Sequence, residues 1–410
     1  MDELSNPARH DGHSLALAGR FLRIFSLVVL VTALVVASVN LVAYRYMLRD
    51  NNQDIVQLLA GWGRMYKPIL YDEIRPEVAV FGASWARDAF DPIETSKLIG
   101  RKLFNHAVSG GTAYETRRFG DAALDNPRLE AAIVNLDTFY RSELVARIRY
   151  GFDESILDVD PDGNPNSWVG LRRAYSLALT GWAVGANLKL ISNIRARDDG
   201  ANRPDYLRAY EQADHTRRRG RMKQARERIF PKPGSNNPPS GEDSPDQPQI
   251  PEPVELELMI DRFCARGIDI YAYFTPSHVR QQSCDPNATE ELAALELLRR
   301  KQSSCSAKIS YFDFAYPNAV TLEGVLTPVK SSQYYRPDGH PRPTAGLLMA
   351  ARMFASEFPP GTPALLQQDF GIELMSHADA PGWLRQHAAR CRGDWGETDS
   401  EAYQNALTGP

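Results

Sequence analysis

A long apolar stretch near the start of the chain, from Ile24 to Tyr44, contains no charged residue and has an arginine on each side. At about 1.5 Å per residue, a helix of this length crosses the roughly 30 Å hydrocarbon core of a bilayer. A cleavable signal peptide has a shorter apolar region, about 7–15 residues, before a small-residue cleavage site. The pattern therefore predicts a retained transmembrane helix at residues 24–44.

The charges around this helix bear on its orientation. Arg9, Arg20 and Arg23 precede it, and Arg45 and Arg49 follow it closely, which weakens the positive-inside signal. We expect residues 1–23 to form a cytoplasmic tail. The C-terminal bulk is then periplasmic, anchored in the inner (cytoplasmic) membrane by a single pass.

Downstream of the helix, apolar positions fall into short runs typical of buried parallel strands. The runs lie at residues 78–81, 103–108, 132–136, 268–274 and 309–314. Segments with helical periodicity follow or separate them, at residues 113–124, 254–266, 289–300 and 344–357. This alternation predicts a doubly wound α/β fold with a mainly parallel, five-stranded sheet.

Breaks in the alternation divide the chain into segments. A proline at position 76 ends a juxtamembrane stalk, because proline disfavours helix at the preceding residue. A largely helical insertion interrupts the α/β pattern, and a polar, proline-rich stretch follows it as a flexible linker. The predicted segments are the stalk 45–76, the first part of the α/β domain 77–139, the insertion 140–230, the linker 231–253, the second part of the domain 254–358 and a C-terminal extension 359–410.

Composition narrows the function classes. A hydrophobic fraction of 43% and a charged fraction of 24% are ordinary for a folded protein. The formal net charge of −4 gives no electrostatic basis for binding nucleic acid, because phosphate contacts need a basic surface. We expect no nucleic-acid partner.

The four cysteines, Cys264, Cys284, Cys305 and Cys391, show no metal-binding spacing. We therefore expect no metal, and nothing in the sequence calls for a cofactor. In an oxidising compartment Cys284 and Cys305, which flank one predicted helix, could pair. The alternative is four isolated buried thiols.

Ser84 follows the first predicted strand in the sequence Phe81-Gly82-Ala83-Ser84-Trp85. A serine there can open the next helix, where free backbone N–H groups and the helix dipole favour a developing negative charge. That position suits a nucleophile. The alternative is a helix N-cap without chemistry.

Asp338 and His340 flank Gly339 just before the last predicted helix. A histidine oriented by a carboxylate is a general base that can take the proton of a serine hydroxyl. The alternative is a rigid surface turn in which Gly339 supplies a positive φ. Two other histidines are weaker candidates. His278 follows a strand and either lines the site or has no role, and His106 is expected to be a core residue.

Together these motifs resemble the SGNH hydrolase superfamily, which has a serine after the first strand, an oxyanion glycine after the second and an Asp/His pair before the last helix. The nearest resemblance is to membrane-anchored bacterial O-acetyltransferases of alginate-type exopolysaccharides. It rests on Gly82-Ala83-Ser84, Asp91-Pro92, residues 105–111, Leu136-Asp137, residues 274–278 and Asp338-Gly339-His340, in that order. The superfamily's Gly-Asp-Ser is Gly-Ala-Ser here, and no Gly-x-Asn-Asp follows the third strand.

The resemblance implies a flavodoxin-like, SGNH-like sheet and a serine-dependent O-acyltransferase or esterase with an acetyl group as its acyl unit. It implies catalytic roles for Ser84, Asp338 and His340. Oxyanion or substrate-binding roles are expected for Gly110, Gly111, Asn135, Asp137 and His278. It also implies an extracytoplasmic polysaccharide acceptor and a membrane protein that supplies the acyl group.

A second hypothesis is a non-catalytic SGNH-like scaffold that binds a glycan or an exopolysaccharide assembly partner. The missing Gly-x-Asn-Asp motif favours it, and the retained serine, aspartate and histidine count against it.

Overall fold

A computed structural model describes most of the chain. The described residues are 8–47, 63–140, 148–149, 151–181, 183–188, 252–277, 288–316, 318–321, 333–336 and 339–388. The chain divides into two compact units, Met1–Arg49 with Gly170–Thr216, and Asp50–Val169 with Arg217–Pro410.

The described helices and strands follow one another in a largely alternating order. The helices are α1 (Ala8–Met47), α2 (Gly63–Ile74), α3 (Ser84–Ala89), α4 (Pro92–Ile99), α5 (Ala113–Ala123), α6 (Asp137–Tyr140), α7 (Val169–Leu179), α8 (Glu252–Ala265), α9 (Thr289–Gln302), α10 (Pro343–Met353), α11 (Ala364–Asp369) and α12 (Ala380–Ala388). The strands are β1 (Val78–Phe81), β2 (Leu103–Asn105), β3 (Ala131–Asn135), β4 (Asp269–Phe274), β5 (Ile309–Asp313) and β6 (Ile372–Glu373).

The first unit contains α1, α7 and the helical segment 183–188. Within the part of the chain that the structure describes, one helix is long and apolar enough to cross a membrane, at Leu17–Arg45. It contains the whole of the predicted span 24–44. Its large side chains are exposed, as Leu34 (59%) and Val42 (70%) illustrate.

The second unit is built on a six-stranded sheet with the order β2-β1-β3-β4-β5-β6. The first five strands are parallel, and β6 pairs antiparallel with β5. The five predicted strands are confirmed. The sixth was not predicted, because it has only two residues and lies in the C-terminal extension. The fold is therefore α/β with a mixed, mostly parallel sheet.

Alternate side chains of the strands pack against helices on the two faces of the sheet. Val78 and Val80 belong to a core with Leu348 of α10, whereas the ring of Phe81 packs on Phe263 of α8, with centroids 5.6 Å apart. Because strands buried on both faces are apolar at every position, they are recognisable in the sequence as continuous runs.

Helix α2 occupies the second half of the segment predicted as a stalk. Tyr66, Leu70 and Tyr71 are buried, and the Tyr71 hydroxyl donates a hydrogen bond to the carbonyl of Ala123 in α5 (3.2 Å). This helix is part of the second unit, and it brings further side chains to the loop after β2.

Cys264 and Cys305 form a disulfide, with their Cα atoms 5.1 Å apart. Both alternatives left open by the sequence, a Cys284–Cys305 pair and four free thiols, are therefore wrong; Cys284 and Cys391 lie outside the described residues. Cys264 is near the end of α8, which leads into β4, and Cys305 lies between α9 and β5. Since β4 and β5 are neighbours, equivalent positions of the two helix–strand connections come together.

Candidate active site

Ser84 is presented by a tight turn between β1 and α3. Gly82 has a φ of +153°, and a Cβ atom at this position would lie 2.7 Å from the Cβ of Asn135, so a larger residue does not fit. The Ala83 N–H donates to the Thr138 hydroxyl (2.9 Å), which fixes the turn against α6. Strands β2 and β3 lie on opposite sides of β1. The chain thus leaves β1 toward one side of the sheet and returns on the other, and binding sites of doubly wound sheets form at such a reversal of strand order.

The imidazole of His340 contacts the Ser84 hydroxyl. The distance from His340 Nε2 to Ser84 Oγ is 2.9 Å, although the two residues are 256 positions apart. The Trp85 ring meets the imidazole edge to face, with centroids 6.3 Å apart. Both residues of the pair are partly exposed, so a substrate can approach them.

A short turn carries His340. The Arg336 N–H donates to the His340 carbonyl (2.8 Å), and the Arg342 N–H donates to the Tyr334 carbonyl (2.7 Å). Gly339 has a φ of +83°, as expected for the glycine of such a turn. Asp338, the predicted partner of the imidazole, lies outside the described residues, and so does His278.

An ion pair that the sequence did not indicate joins the histidine turn to the serine helix. Arg336 Nη1 lies 2.8 Å from Asp88 Oδ2, and their side chains are only 17% and 10% exposed. Asp88 is in α3, four residues after Ser84. The Tyr335 hydroxyl also donates to the Pro276 carbonyl after β4 (2.8 Å). The turn that carries His340 is thus held at two points.

The loop after β2 runs beside the Ser84 turn. The Val108 N–H donates to the Gly82 carbonyl (3.1 Å). Arg64 of α2 donates to the carbonyls of Ser109 and Gly110, at 2.9 Å each, and forms a salt bridge with Glu115 (2.8 Å). This arginine orders the loop from outside, in a segment where the sequence predicted only a stalk.

The two glycines of this loop differ in their backbone hydrogen bonds. The Gly111 N–H donates to the Val108 carbonyl (3.2 Å), so the N–H of this glycine already has an acceptor. Gly110 has a φ of +58°, and within the described residues its N–H and that of Ser84 have no acceptor. These two backbone N–H groups are the candidate oxyanion donors.

Asn135 and Asp137 lie next to the serine turn but bond to each other. The Asn135 amide nitrogen donates to Asp137 Oδ2 (2.8 Å) and to the Thr275 hydroxyl (2.9 Å), which uses both of its N–H groups. Asp137 also accepts the Thr275 N–H (2.7 Å). The oxyanion or substrate-binding role of Asn135 stays a prediction, and both N–H groups of its amide are engaged in this structure. Both side chains tie the end of β3 to the end of β4.

Two buried titratable groups lie behind the loop after β2. Burial and the nearby Lys67 lower the pKa of His106 to about 3, and rings of Phe81 and Phe119 surround its imidazole. His106 is thus a core residue, as predicted. Burial lowers the pKa of Lys67 to about 7, with a further lowering by Arg87. The Lys67 ammonium donates to the Ala107 carbonyl (2.5 Å), which links α2 to the same loop.

The arrangement has the parts of a nucleophilic site. A serine hydroxyl bonded to an imidazole at a helix N-terminus is poised to attack an electrophilic centre while the imidazole takes its proton. No protein-family model matches this chain, and no curated protein is similar enough in sequence to match it. The chemistry of the site must therefore be inferred from its own geometry.

Proposed function

We propose that this chain is a membrane-anchored, serine-dependent O-acyltransferase or esterase that acts on an extracytoplasmic polysaccharide through an acyl-serine intermediate. The observation that carries the proposal is the 2.9 Å contact between Ser84 Oγ and His340 Nε2. Acetyl is the proposed acyl group. An SGNH-like fold agrees with the parallel strand order 2-1-3-4-5, with the serine after β1 and the histidine before α10.

In the first half-reaction Ser84 Oγ attacks the acyl carbonyl carbon, and His340 Nε2 takes the hydroxyl proton. The carbonyl oxygen becomes an oxyanion, for which the N–H groups of Ser84 and Gly110 are the proposed donors. The leaving alcohol takes the proton from His340, and the acyl group stays on Ser84. Asp338 is proposed to orient the imidazole.

In the second half-reaction an acceptor hydroxyl gives its proton to His340 and attacks the acyl carbon of the acyl-serine. The bond between Ser84 Oγ and the acyl carbon then breaks, and Oγ takes the proton back from His340. A sugar hydroxyl as acceptor gives transfer, and water gives hydrolysis. Two features support an acceptor outside the cytoplasm. The apolar helix α1 is a candidate anchor, and the Cys264–Cys305 disulfide is typical of an oxidising compartment. A membrane partner is proposed to deliver the acyl group.

Trapping the intermediate tests the proposal. Full-length protein in detergent is exposed to p-nitrophenyl acetate and analysed by intact and peptide mass spectrometry. We expect one acetyl adduct on the Ser84 peptide of the wild type and none in Ser84→Ala. Ser356→Ala is the matched control, because Ser356 is a partly exposed serine just after α10. A folded wild type without an adduct or ester turnover would contradict the proposal.

The second candidate is the non-catalytic scaffold. The Asn135 amide and the Gly111 N–H already donate hydrogen bonds within the protein, which favours the scaffold. Only two backbone N–H groups then remain for the proposed oxyanion site. The scaffold would be preferred if Ser84→Ala left polysaccharide acylation and export unchanged while deletion of the second unit abolished export.

The Arg336–Asp88 ion pair is expected to position His340. Arg336→Gln should lower kcat for ester turnover about 10–100-fold with little change in KM, since small displacements of a catalytic group have effects of this size. Because the two charges are partners, Arg336→Gln and Asp88→Asn together should cost no more than the more harmful single change. Kinetics of the four proteins measure this.

Lys97→Gln provides the control for that cycle. Lys97 also forms an ion pair, with Glu94 (3.2 Å), but the side chains are 68% and 42% exposed. Exposed pairs contribute little, so this variant should keep wild-type kinetics. Fully additive losses in the Arg336 and Asp88 variants would show that the pair does not act as a unit.

A further inference from the structure

The insertion contains an apolar segment that is too short to cross a membrane. From Ala174 to Leu188 the chain has 15 residues without a charge, bounded by Arg173 and Lys189. As a helix this segment is about 22 Å long, less than the roughly 30 Å hydrocarbon core. Apolar segments of this length are typical of buried core helices or of helices that enter a membrane without crossing it.

Burial decides between those two possibilities. Large apolar side chains of α7 and of segment 183–188 are exposed, including Leu171 (65%), Tyr175 (59%) and Leu188 (65%). Leu179 continues the spacing of four residues from Leu171 and Tyr175, so these three side chains share one face of α7. This segment is therefore not a core helix.

Three of the five buried positions described in this segment carry small residues, and Leu177 and Asn187 occupy the other two. Ser176, Ala183 and Ala186 are buried, at 8%, 0% and 0% exposure. Soluble proteins place large apolar side chains inside. Membrane helices instead place small residues at helix contacts and large apolar ones toward lipid. The segment follows the membrane pattern.

Hydrogen bonds tie this segment to α1 within the first unit. The side chain of Asn40 is buried in the middle of apolar neighbours, and its amide nitrogen donates to the Ala178 carbonyl (2.9 Å). The Asn187 amide donates in turn to Asn40 Oδ1 (2.7 Å). An unpaired amide is costly in hydrocarbon, so mutual pairing is what a shared lipid environment requires.

Two hydroxyl groups of the unit also bond within the protein. Ser38 donates to the Leu34 carbonyl (2.8 Å), and Thr180 donates to the Ser176 carbonyl (2.5 Å). Both bonds stay within their own helical segments and leave no need for water. Asn40 lies five residues before Arg45, so the contact with the insertion is about 7.5 Å from the charged end of α1.

We infer that α7 and segment 183–188 form a second membrane contact, a helical element that enters the outer leaflet beside α1. Leu171, Tyr175, Leu179 and Leu188 contact acyl chains. The occupant of this surface is the lipid bilayer, because the exposed apolar side chains belong to the same compact unit as those of α1. The inference rests on the proposed anchoring by α1 and is independent of the chemistry at Ser84.

Depth-dependent quenching tests the inference. Full-length protein carrying Cys284→Ser and Cys391→Ser is reconstituted in vesicles of phosphatidylcholine and phosphatidylglycerol. A fluorophore is attached to Leu179→Cys, to Val35→Cys on the exposed face of α1, or to Lys97→Cys on the second unit. Lipids with brominated acyl chains should quench the labels at 179 and 35 several-fold more than the label at 97. Aqueous iodide should show the reverse order.

The three labels separate the possible failures. Lipid quenching at position 35 with iodide quenching at 179 would overturn the second contact and leave the anchor intact. A label at 179 that is protected from both quenchers would also overturn it, and would indicate that protein, such as a second copy of this chain, covers the face. Absence of lipid quenching at position 35 would contradict the anchor. Acetylation of Ser84 in the same vesicles reports separately on the proposed function.

Discussion

Replacing Ser84 with alanine is expected to lower kcat/KM for p-nitrophenyl acetate by about 10⁴-fold, with the protein still folded. The hydroxyl is the atom proposed to form the acyl bond, and His340 is proposed to take its proton across 2.9 Å. His340→Ala should cause a loss of similar size. Because the two residues act as a unit, the double variant should be no slower than the slower single variant. Steady-state kinetics of the three variants and the wild type measure this.

The control and the contradicting outcome for this prediction are both kinetic. Ser356→Ala should retain wild-type kcat/KM, since this serine follows α10 and has no part in the site. If Ser84→Ala and His340→Ala each lost activity and the double variant lost the product of the two losses, the residues would act independently. A Ser84→Ala enzyme with unchanged turnover would show that another nucleophile carries the ester chemistry.

Much of the sheet could be predicted from the sequence because its strands are buried on both faces. The predicted run 78–81 is β1, and the run 309–314 exceeds β5 by one residue. Strand β6 has two residues and pairs only at Phe312 and Asp313, so no periodicity could reveal it. Helix α2 has ordinary helical periodicity, but its burial depends on α5 and the loop after β2, which are distant in sequence.

The two residues in contact at the candidate site could be predicted from the sequence, but the side chains that hold them in place could not. Ser84 and His340 were recognisable because each stands next to a predicted element in a characteristic order. Arg336 and Asp88 are 248 positions apart, so no local pattern could pair them. The sequence indicated that Asn135 ends the third strand, but it could not show that the Asn135 amide bonds to Asp137 and Thr275.

Helices α3 and α10 approach each other closely at Gly346, and this contact is expected to matter for stability. Gly346 lies in α10, which follows the His340 turn, and a Cβ at this position would lie 1.8 Å from the carbonyl oxygen of Ala89 at the end of α3. Backbone atoms cannot yield as a side chain can, so Gly346→Ala must push α10 away from the helix that begins with Ser84. Ordinary overpacking costs about 1–3 kcal/mol, and a backbone clash lies at or above the upper end of that range.

We therefore expect Gly346→Ala to lower the free energy of unfolding by about 2–4 kcal/mol and Tm by about 5–15 °C. The higher helix propensity of alanine, worth up to about 1 kcal/mol, acts in the opposite direction and is too small to compensate. Thermal unfolding of the full-length protein in detergent measures the change.

Gly170→Ala is the matched control, since Gly170 lies in α7 with no atom within 4 Å of the added Cβ, and it should be neutral or slightly stabilising. Equal Tm values for the two variants would show that α3 and α10 do not need the glycine contact. A folded Gly346→Ala protein that has lost ester turnover would instead show that this contact sets the distance between Ser84 and His340.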